Sequence, residues 1–283
     1  MMRRLGRSLG WIVLAAVLLQ VYFLARIALM RVVDPESTAL QRSEVLRVIG
    51  DGKWSWAQQW VPYEQLSDNL KRAVVASEDS DFVNHDGIEW DAIREARARN
   101  AEAEARNEAQ RQRAEARLRQ IQERAQKKIE RLEKHGRPVS ERLRATASGS
   151  GASAPAVPAP KIAGGSTISQ QLAKNLLLST ERNLFRKGQE LVLTKYLEIL
   201  LGKRRILEIY LNNVEWGEGV FGAEAAARYY FHKPASALTA REAARLAVML
   251  PRPRYFEQNL DSGYLASRSG VIAAREGDVE IPR

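Results

Sequence analysis

Cysteine is absent from all 283 residues, which removes disulfides and thiolate chemistry from consideration. Histidine is almost absent too. His85, His135 and His232 are too few and too scattered to compose a zinc site. Acidic residues fall short of basic ones, 34 Asp+Glu against 44 Lys+Arg, and the net charge of +10 suits an anionic partner. Nucleic acid, a phospholipid surface and a phosphorylated substrate all fit that charge, which cannot choose among them. Apolar–polar alternation of period two is also missing, so the compact part of the chain reads as all-α. What is present is ordinary enough to fold: 45% of residues are hydrophobic, and the length allows one large domain or two small ones.

Arg3, Arg4 and Arg7 precede an apolar run from Leu9 to Leu29, interrupted only by Gln20 and Arg26. About 20 apolar residues cross a bilayer as a helix. The run exceeds the roughly 7–15 residues of a signal-peptide core, and no clean small-x-small cleavage site follows it. An uncleaved single-pass anchor is the expectation. Its basic end belongs in the cytoplasm and the remainder beyond the inner membrane, with Arg26 and Arg31 snorkelling to the far interface. Trp54, Trp56 and Trp60 follow, placed either at the membrane interface or in the core.

Beyond Pro62, Leu66, Leu70 and Val74 recur at helical spacing and lead to Glu78-Asp79 at a helix C-terminal end, where the helix dipole does not favour carboxylates. Residues from about Ile93 to Leu143 form a charged, alanine-rich helical tract with a thin apolar seam at Leu118, Ile121, Ala125 and Leu132. Thr146–Pro160 is a linker rich in Ala, Ser, Gly and Pro. Neither segment builds a core, and low order is expected in both. Helices are then expected over Ser166–Leu178, Arg182–Leu201, Arg205–Asn212 and Val220–Phe231, with a further one opened by a capping box at Thr239 and stopped by Pro251.

Some short matches carry nothing. Gly217-x-Gly219-x-x-Gly222 fits a dinucleotide fingerprint but has no βαβ unit around it. Asp79-Ser80-Asp81 fits a metal-binding Asp-x-Asp without the strand-rich domain that pattern needs. The basic tract lacks the interleaved aromatics of a nucleic-acid binder, so no nucleic-acid partner is expected.

Four motifs remain. Glu78-Asp79-x-x-Phe82-x-x-His85-x-Gly87 brings two acids and a histidine into one short turn. Gly164-Gly165-Ser166-Thr167-Ile168-Ser169-Gln170-Gln171-Leu172-x-Lys174-Asn175 reads as a glycine loop entering a helix through a Thr167/Gln170 capping box. A helix start of this kind offers free N–H groups to an anion. Arg186-Lys187-x-x-Glu190 sets two cations and a carboxylate on one helical face, and Lys203-x-x-Ile206-Leu207-Glu208-x-Tyr210-Leu211-Asn212 completes the group. Separated carboxylates with clustered cations are what moving a sugar off a pyrophosphate requires: one acid takes a proton, and cations neutralise the leaving group.

Together and in this order, the motifs resemble the peptidoglycan glycosyltransferases of family 51; Gly217-x-Gly219-x-x-Gly222-Ala223-Glu224 and Tyr230-Phe231-x-Lys233 resemble its next block. The resemblance runs from about Trp60 to Pro253 and implies a mainly helical, lysozyme-like glycosyltransferase domain that polymerises lipid II, inverting the donor sugar and releasing undecaprenyl pyrophosphate. It implies Glu78 as general base and Glu190 as a second carboxylate at the donor pyrophosphate, acting with a divalent cation (magnesium or manganese) where one is used. Lys174, Arg186 and Lys187 match phosphate-binding positions, while Ser166, Thr167, Gln171 and Asn175 match substrate-lining donors. Asp79, Phe82 and His85 match supports of the catalytic loop. Implied partners are lipid II, the growing glycan chain, the membrane, and proteins of cell-wall synthesis or division.

The expected organisation is an anchor over residues 1–31 and a transferase domain over 32–283, interrupted by an insertion at about 94–161. About 30 residues follow Pro253 and no Ser-x-x-Lys motif occurs, so the chain resembles the monofunctional, membrane-anchored members. The insertion departs from the family pattern. Its expected place is along anionic headgroups or against a partner, with no part in the chemistry. Two rivals stand beside this reading: a glycan-cleaving lytic transglycosylase or lysozyme, and a non-enzymatic membrane-anchored helical adaptor.

Overall fold

The computed structural model describes residues 2–35, 37–51, 56–150, 165–178 and 184–283. Trp54 and Gly164, and most of the Ala/Ser/Gly/Pro linker, lie outside the described residues. Two compact units are present, one from residues 1–89 and 166–283 and the other from residues 90–165.

In the first unit, helix α1 (Met2–Leu29) contains one span, Gly10–Leu29, long and apolar enough to cross a membrane, with mean hydropathy 2.3. Trp11, Ile12, Val13 and Leu14 are exposed, whereas Phe23, Ile27 and Met30 are buried. Gln20, which interrupts the apolar run, exchanges amide hydrogen bonds with Gln189 at 3.0 and 3.3 Å. Helix α2 (Ala39–Asp51) leads to strand β1 (Ala57–Gln58) and then to helix α3 (Asp68–Glu78), whose first turn is capped by Ser67 accepting from Leu70 N–H.

The second unit holds helix α4 (Trp90–Lys134) and helix α5 (Glu141–Ser148). α5 folds back on α4. A Cβ on Gly149 would stand 2.8 Å from the Gln122 side chain, so the hairpin runs antiparallel. Ala125 and Ile129 of α4 are buried, which puts the thin seam to use. The tract thus forms a regular 45-residue helix with a short helix packed on it.

The chain then returns to the first unit with helix α6 (Ile168–Leu177) and helix α7 (Leu184–Asn213). Gly202, at φ 74° and ψ 161°, breaks α7 in the gap between the two helices expected there. Strands β2 (Glu215–Gly217) and β3 (Val220–Phe221) form a hairpin, with β1 parallel to β3 in the order β1-β3-β2. This small sheet adds to a fold that is mainly helical, as expected; strands of two or three residues are too short to show period two. The glycine-rich stretch over 217–222 is that hairpin and not a nucleotide loop. Gly222 is required there, since φ is +81° and a Cβ would come within 2.6 Å of the Asn212 carbonyl oxygen.

Helices α8 (Ala223–Phe231), α9 (Ala240–Met249), α10 (Pro253–Glu257) and α11 (Gly263–Arg275) complete the unit. The core forms where α3 packs on α9, α9 on α11, and α6 on α7, through Leu70, Val74, Leu246, Leu265, Ile272, Leu172, Leu176, Leu193 and Leu197. Trp56 lies 4.7 Å from Phe221 and Trp60 packs against the core, so these two indoles serve packing. The domain is mainly helical, as the motifs imply.

Candidate active site

Glu78 is the last residue of α3, and Asp79 caps it with non-helical backbone. The turn that follows is held by a closed set of hydrogen bonds. Asp79 Oδ2 accepts from Ile168 N–H at 2.9 Å, and Oδ1 lies 2.8 Å from His85 Nε2. Gly87 N–H donates to His85 Nδ1 at 2.9 Å, so the ring proton sits on Nε2 and points at Asp79. Thr167 Oγ1 donates to the Gly87 carbonyl at 2.6 Å. Phe82 is fully buried, its ring edge-to-face with His85 and with Lys203 Nζ 4.5 Å from its centroid. Gly87 has φ +80°, and a Cβ there would stand 2.7 Å from Glu198 Cγ. Asp79, Phe82 and His85 thus shape the turn that presents Glu78.

The same bonds correct two expectations. The N-terminus of α6 has the predicted capping box, with Thr167 and Gln170 each satisfying the other's backbone N–H. Its remaining pull on an anion is met by the protein's own Asp79, bonded at Ile168 N–H, and not by free amides awaiting a phosphate. Thr167 is buried and its hydroxyl is committed to Gly87 and Gln170, so it braces the loop and does not line the cleft.

One turn further along α6, Gln171 reaches the acid. Its Nε2 donates to Glu78 Oε2 at 2.9 Å, and its Oε1 accepts from the Tyr210 hydroxyl at 3.0 Å. A carboxylate on one side and a hydroxyl donor on the other fix which end of the amide faces which. Burial holds the Glu78 carboxyl above its ordinary value, and the negative charge of Asp79 adds to the rise; hydrogen bonds from Gln171 and Ser77 and the charge of Lys174 pull the other way. Tyr210 is fully buried and its pKa is raised well above the ordinary value by burial, then by the charges of Glu78 and Asp79. It remains a donor throughout the working pH range.

Two cavities meet at this point. The first, about 230 Å³, is lined by Ser166, Gln170, Gln171, Lys174, Arg186, Lys187 and Glu190. A second, about 360 Å³, shares Gln171, Lys174 and Arg186 and continues along Asn175, Leu178, Val214 and Leu250. Glu190 is buried, with Arg186 Nη1 3.5 Å from one oxygen and Lys187 Nζ bonded to the other. One carboxylate already claimed by two cations is a poor donor set for a divalent ion. Among the described residues the one cluster of three candidate ligands is Asp79, His85 and Glu89, and the bonds above already commit the first two.

Of the residues expected at the site, Ser166, Gln171, Lys174, Asn175, Arg186, Lys187 and Glu190 line this cleft, while Glu78 lines neither cavity and is joined to them through Gln171. Most of the Lys203–Asn212 motif does not. Lys203 bonds Glu198, Glu208 accepts from Tyr63 N–H, and the buried Asn212 amide braces Val61. Tyr210 is its contribution to the site, through Gln171. That role was hidden in the sequence, because nothing in the spacing links position 210 to position 171.

A half-buried carboxylate beside a basic cleft, in a mainly helical domain that carries an apolar N-terminal helix, makes a candidate active site for an anionic substrate. The sequence profile of the family described as Transglycosylase matches residues 44–127 and 145–276, so it runs through all of α4 except its last seven residues, 128–134. The biosynthetic peptidoglycan transglycosylase of Paraburkholderia xenovorans is 44% identical over 264 residues, covering 93% of this chain and 87% of its own length. Those of Burkholderia orbicola and Burkholderia thailandensis are each 44% identical, covering 93% of this chain and 86% and 82% of their own. The chain belongs to the transglycosylase family.

Proposed function

We propose that this chain polymerises lipid II into peptidoglycan glycan strands outside the cytoplasm, held to the inner membrane by α1 with its N-terminus in the cytoplasm. The observation that carries the reading is the Gln171 bridge. It ties the Glu78 carboxylate to the cleft lined by Lys174, Arg186 and Lys187, so one base and three cations serve one substrate position. Glu78 takes the proton from the acceptor sugar's 4-hydroxyl as that oxygen attacks C1 of the donor. The new C1–O bond forms on the face opposite the departing phosphate, so the anomeric centre inverts. The electron pair of the broken bond leaves on undecaprenyl pyrophosphate, whose charge the three cations neutralise.

The smaller, more polar cavity suits the diphosphate, and the wall of Leu178, Val214 and Leu250 suits the apolar chain attached to it. Glu190 keeps Arg186 and Lys187 extended toward the cavity and offsets part of their mutual repulsion. Supplying purified chain with labelled lipid II, and separately with finished glycan, tests the reading. Polymer from the first and no cleavage of the second is expected; cleavage of finished glycan without polymerisation would replace it with the lytic alternative.

A further inference from the structure

We propose that the distal half of α4 is a docking face for an anionic phospholipid bilayer. The first half of this helix, residues 90–108, has four Arg against five Asp+Glu, and ion pairs neutralise it: Arg94 with Asp91, Arg99 with Glu95 and Arg106 with Glu102. From Ala109 to Lys134 the balance reverses to nine Lys+Arg against four Glu. No ion pair falls on this half among the described residues.

Helical periodicity sorts these charges by side. At 3.6 residues per turn, Arg113, Arg117, Arg124, Lys127, Lys128, Arg131 and Lys134 fall within an arc of about 120°. Five of them, Arg113, Arg117, Arg124, Lys128 and Arg131, fall within about 60°. All seven are exposed, and Glu115, Glu123, Glu130 and Glu133 lie outside the arc. Ala114, Leu118, Ile121, Ala125, Ile129 and Leu132 form a separate stripe, from which Ala125 and Ile129 are buried. Part of the apolar side is therefore covered in the hairpin while Ile121 stays exposed, and the cationic side, roughly 32 Å long, is left facing outward.

A straight, one-sided row of cations fits a planar anionic surface. Each Lys or Arg near such a surface adds to the attraction, so a row of this size holds without any apolar insertion. Nucleic acid fits less well, because the helix offers no aromatic side chain after Trp90 for bases to stack on. The surface is also within reach. The hairpin belongs to the same chain as α1, so it meets any bilayer holding α1 at high effective concentration.

Freedom from native cysteine makes the test direct. A fluorophore is placed through Gln120→Cys, which lies inside the cationic arc, and in a second protein through Glu115→Cys, which lies across the helix. Full-length chain is reconstituted in nanodiscs of phosphatidylcholine, or of equimolar phosphatidylcholine and phosphatidylglycerol, and quenched with acrylamide. The expected result is quenching at position 120 lower by about twofold or more in the anionic discs, reversed by high salt, with position 115 unchanged. Combining Arg113→Gln, Arg117→Gln, Arg124→Gln, Lys128→Gln and Arg131→Gln abolishes the difference while glycan polymerisation continues. The salt titration of the unsubstituted face decides the matter even where that variant folds poorly. Equal quenching in both discs overturns the proposal. So does protection that appears only once glycan product accumulates, which would make the acidic glycan the occupant.

Discussion

At the scale of single residues, the chemistry turns on a carboxyl that the fold prefers uncharged. Glu78 has its pKa raised by burial, so its contribution to stability is full below the ordinary carboxylate pKa and is lost as pH rises through the raised folded value. Above that value the ionised acid costs stability. Glu78→Gln is therefore expected to raise the melting temperature on the alkaline side of that value and to lose that advantage on acidification, measured by thermal unfolding across pH. The same substitution lowers lipid II polymerisation by roughly 10²–10⁴-fold if Glu78 is the base; near-normal turnover would remove it from that role. Gln171 donates to the ionised form, so Gln171→Leu should move the acid limb of the pH–rate profile to higher pH. Tyr210→Phe leaves Gln171 Oε1 without its donor at a cost of about 1–3 kcal/mol and should shift that limb the same way, more weakly.

Elements explain both what the sequence made legible and what it concealed. Capping boxes at Thr167 and Thr239 were readable because the partners sit three residues apart, within one turn. The two-residue strands were not, and neither was the commitment of Asp79 to the start of α6, a contact across 89 positions. Arg186, Lys187 and Glu190 could be grouped from spacing alone; Gln171 with Tyr210 could not, since tertiary packing alone joins α6 to α7. A chain of charges binds α2 to the wall of the larger cavity in the same long-range manner. Arg254 pairs with both Glu215 and Glu44, and Arg47 pairs with Glu44 and Glu218. Burial raises the Glu215 pKa, so removing its cation leaves a poorly solvated acid. Arg254→Ala is expected to cost about 1–3 kcal/mol in urea unfolding at neutral pH, and less in acid where Glu215 is protonated. An unchanged midpoint would show that the network is ornamental.

For the molecule as a whole, the division into two units keeps the candidate chemistry and the apolar helix α1 together and sets the α4–α5 hairpin apart. Every residue assigned above to the reaction belongs to the unit of residues 1–89 and 166–283. Deleting residues 97–158 should accordingly leave soluble-domain unfolding and lipid II turnover within a few-fold of the intact chain, assayed in detergent, where no bilayer is available to dock on. Loss of polymerisation with the fold retained would draw the hairpin into catalysis. The apolar tract from Gly10 to Leu29 was plain from length and composition, while its side-on packing through Phe23, Ile27 and Met30 was not, because hydropathy does not distinguish a lipid-facing side chain from a protein-facing one.

The reciprocal amide pair between Gln20 and Gln189 gives that packing a direction. An apolar helix joined to its domain by a slack tether would let the domain swivel freely. Here the roll of α1 about its own axis is keyed to α7, the helix that also bears Arg186, Lys187 and Glu190. Whatever fixes the heading of that apolar helix thereby aims the mouth of the cleft.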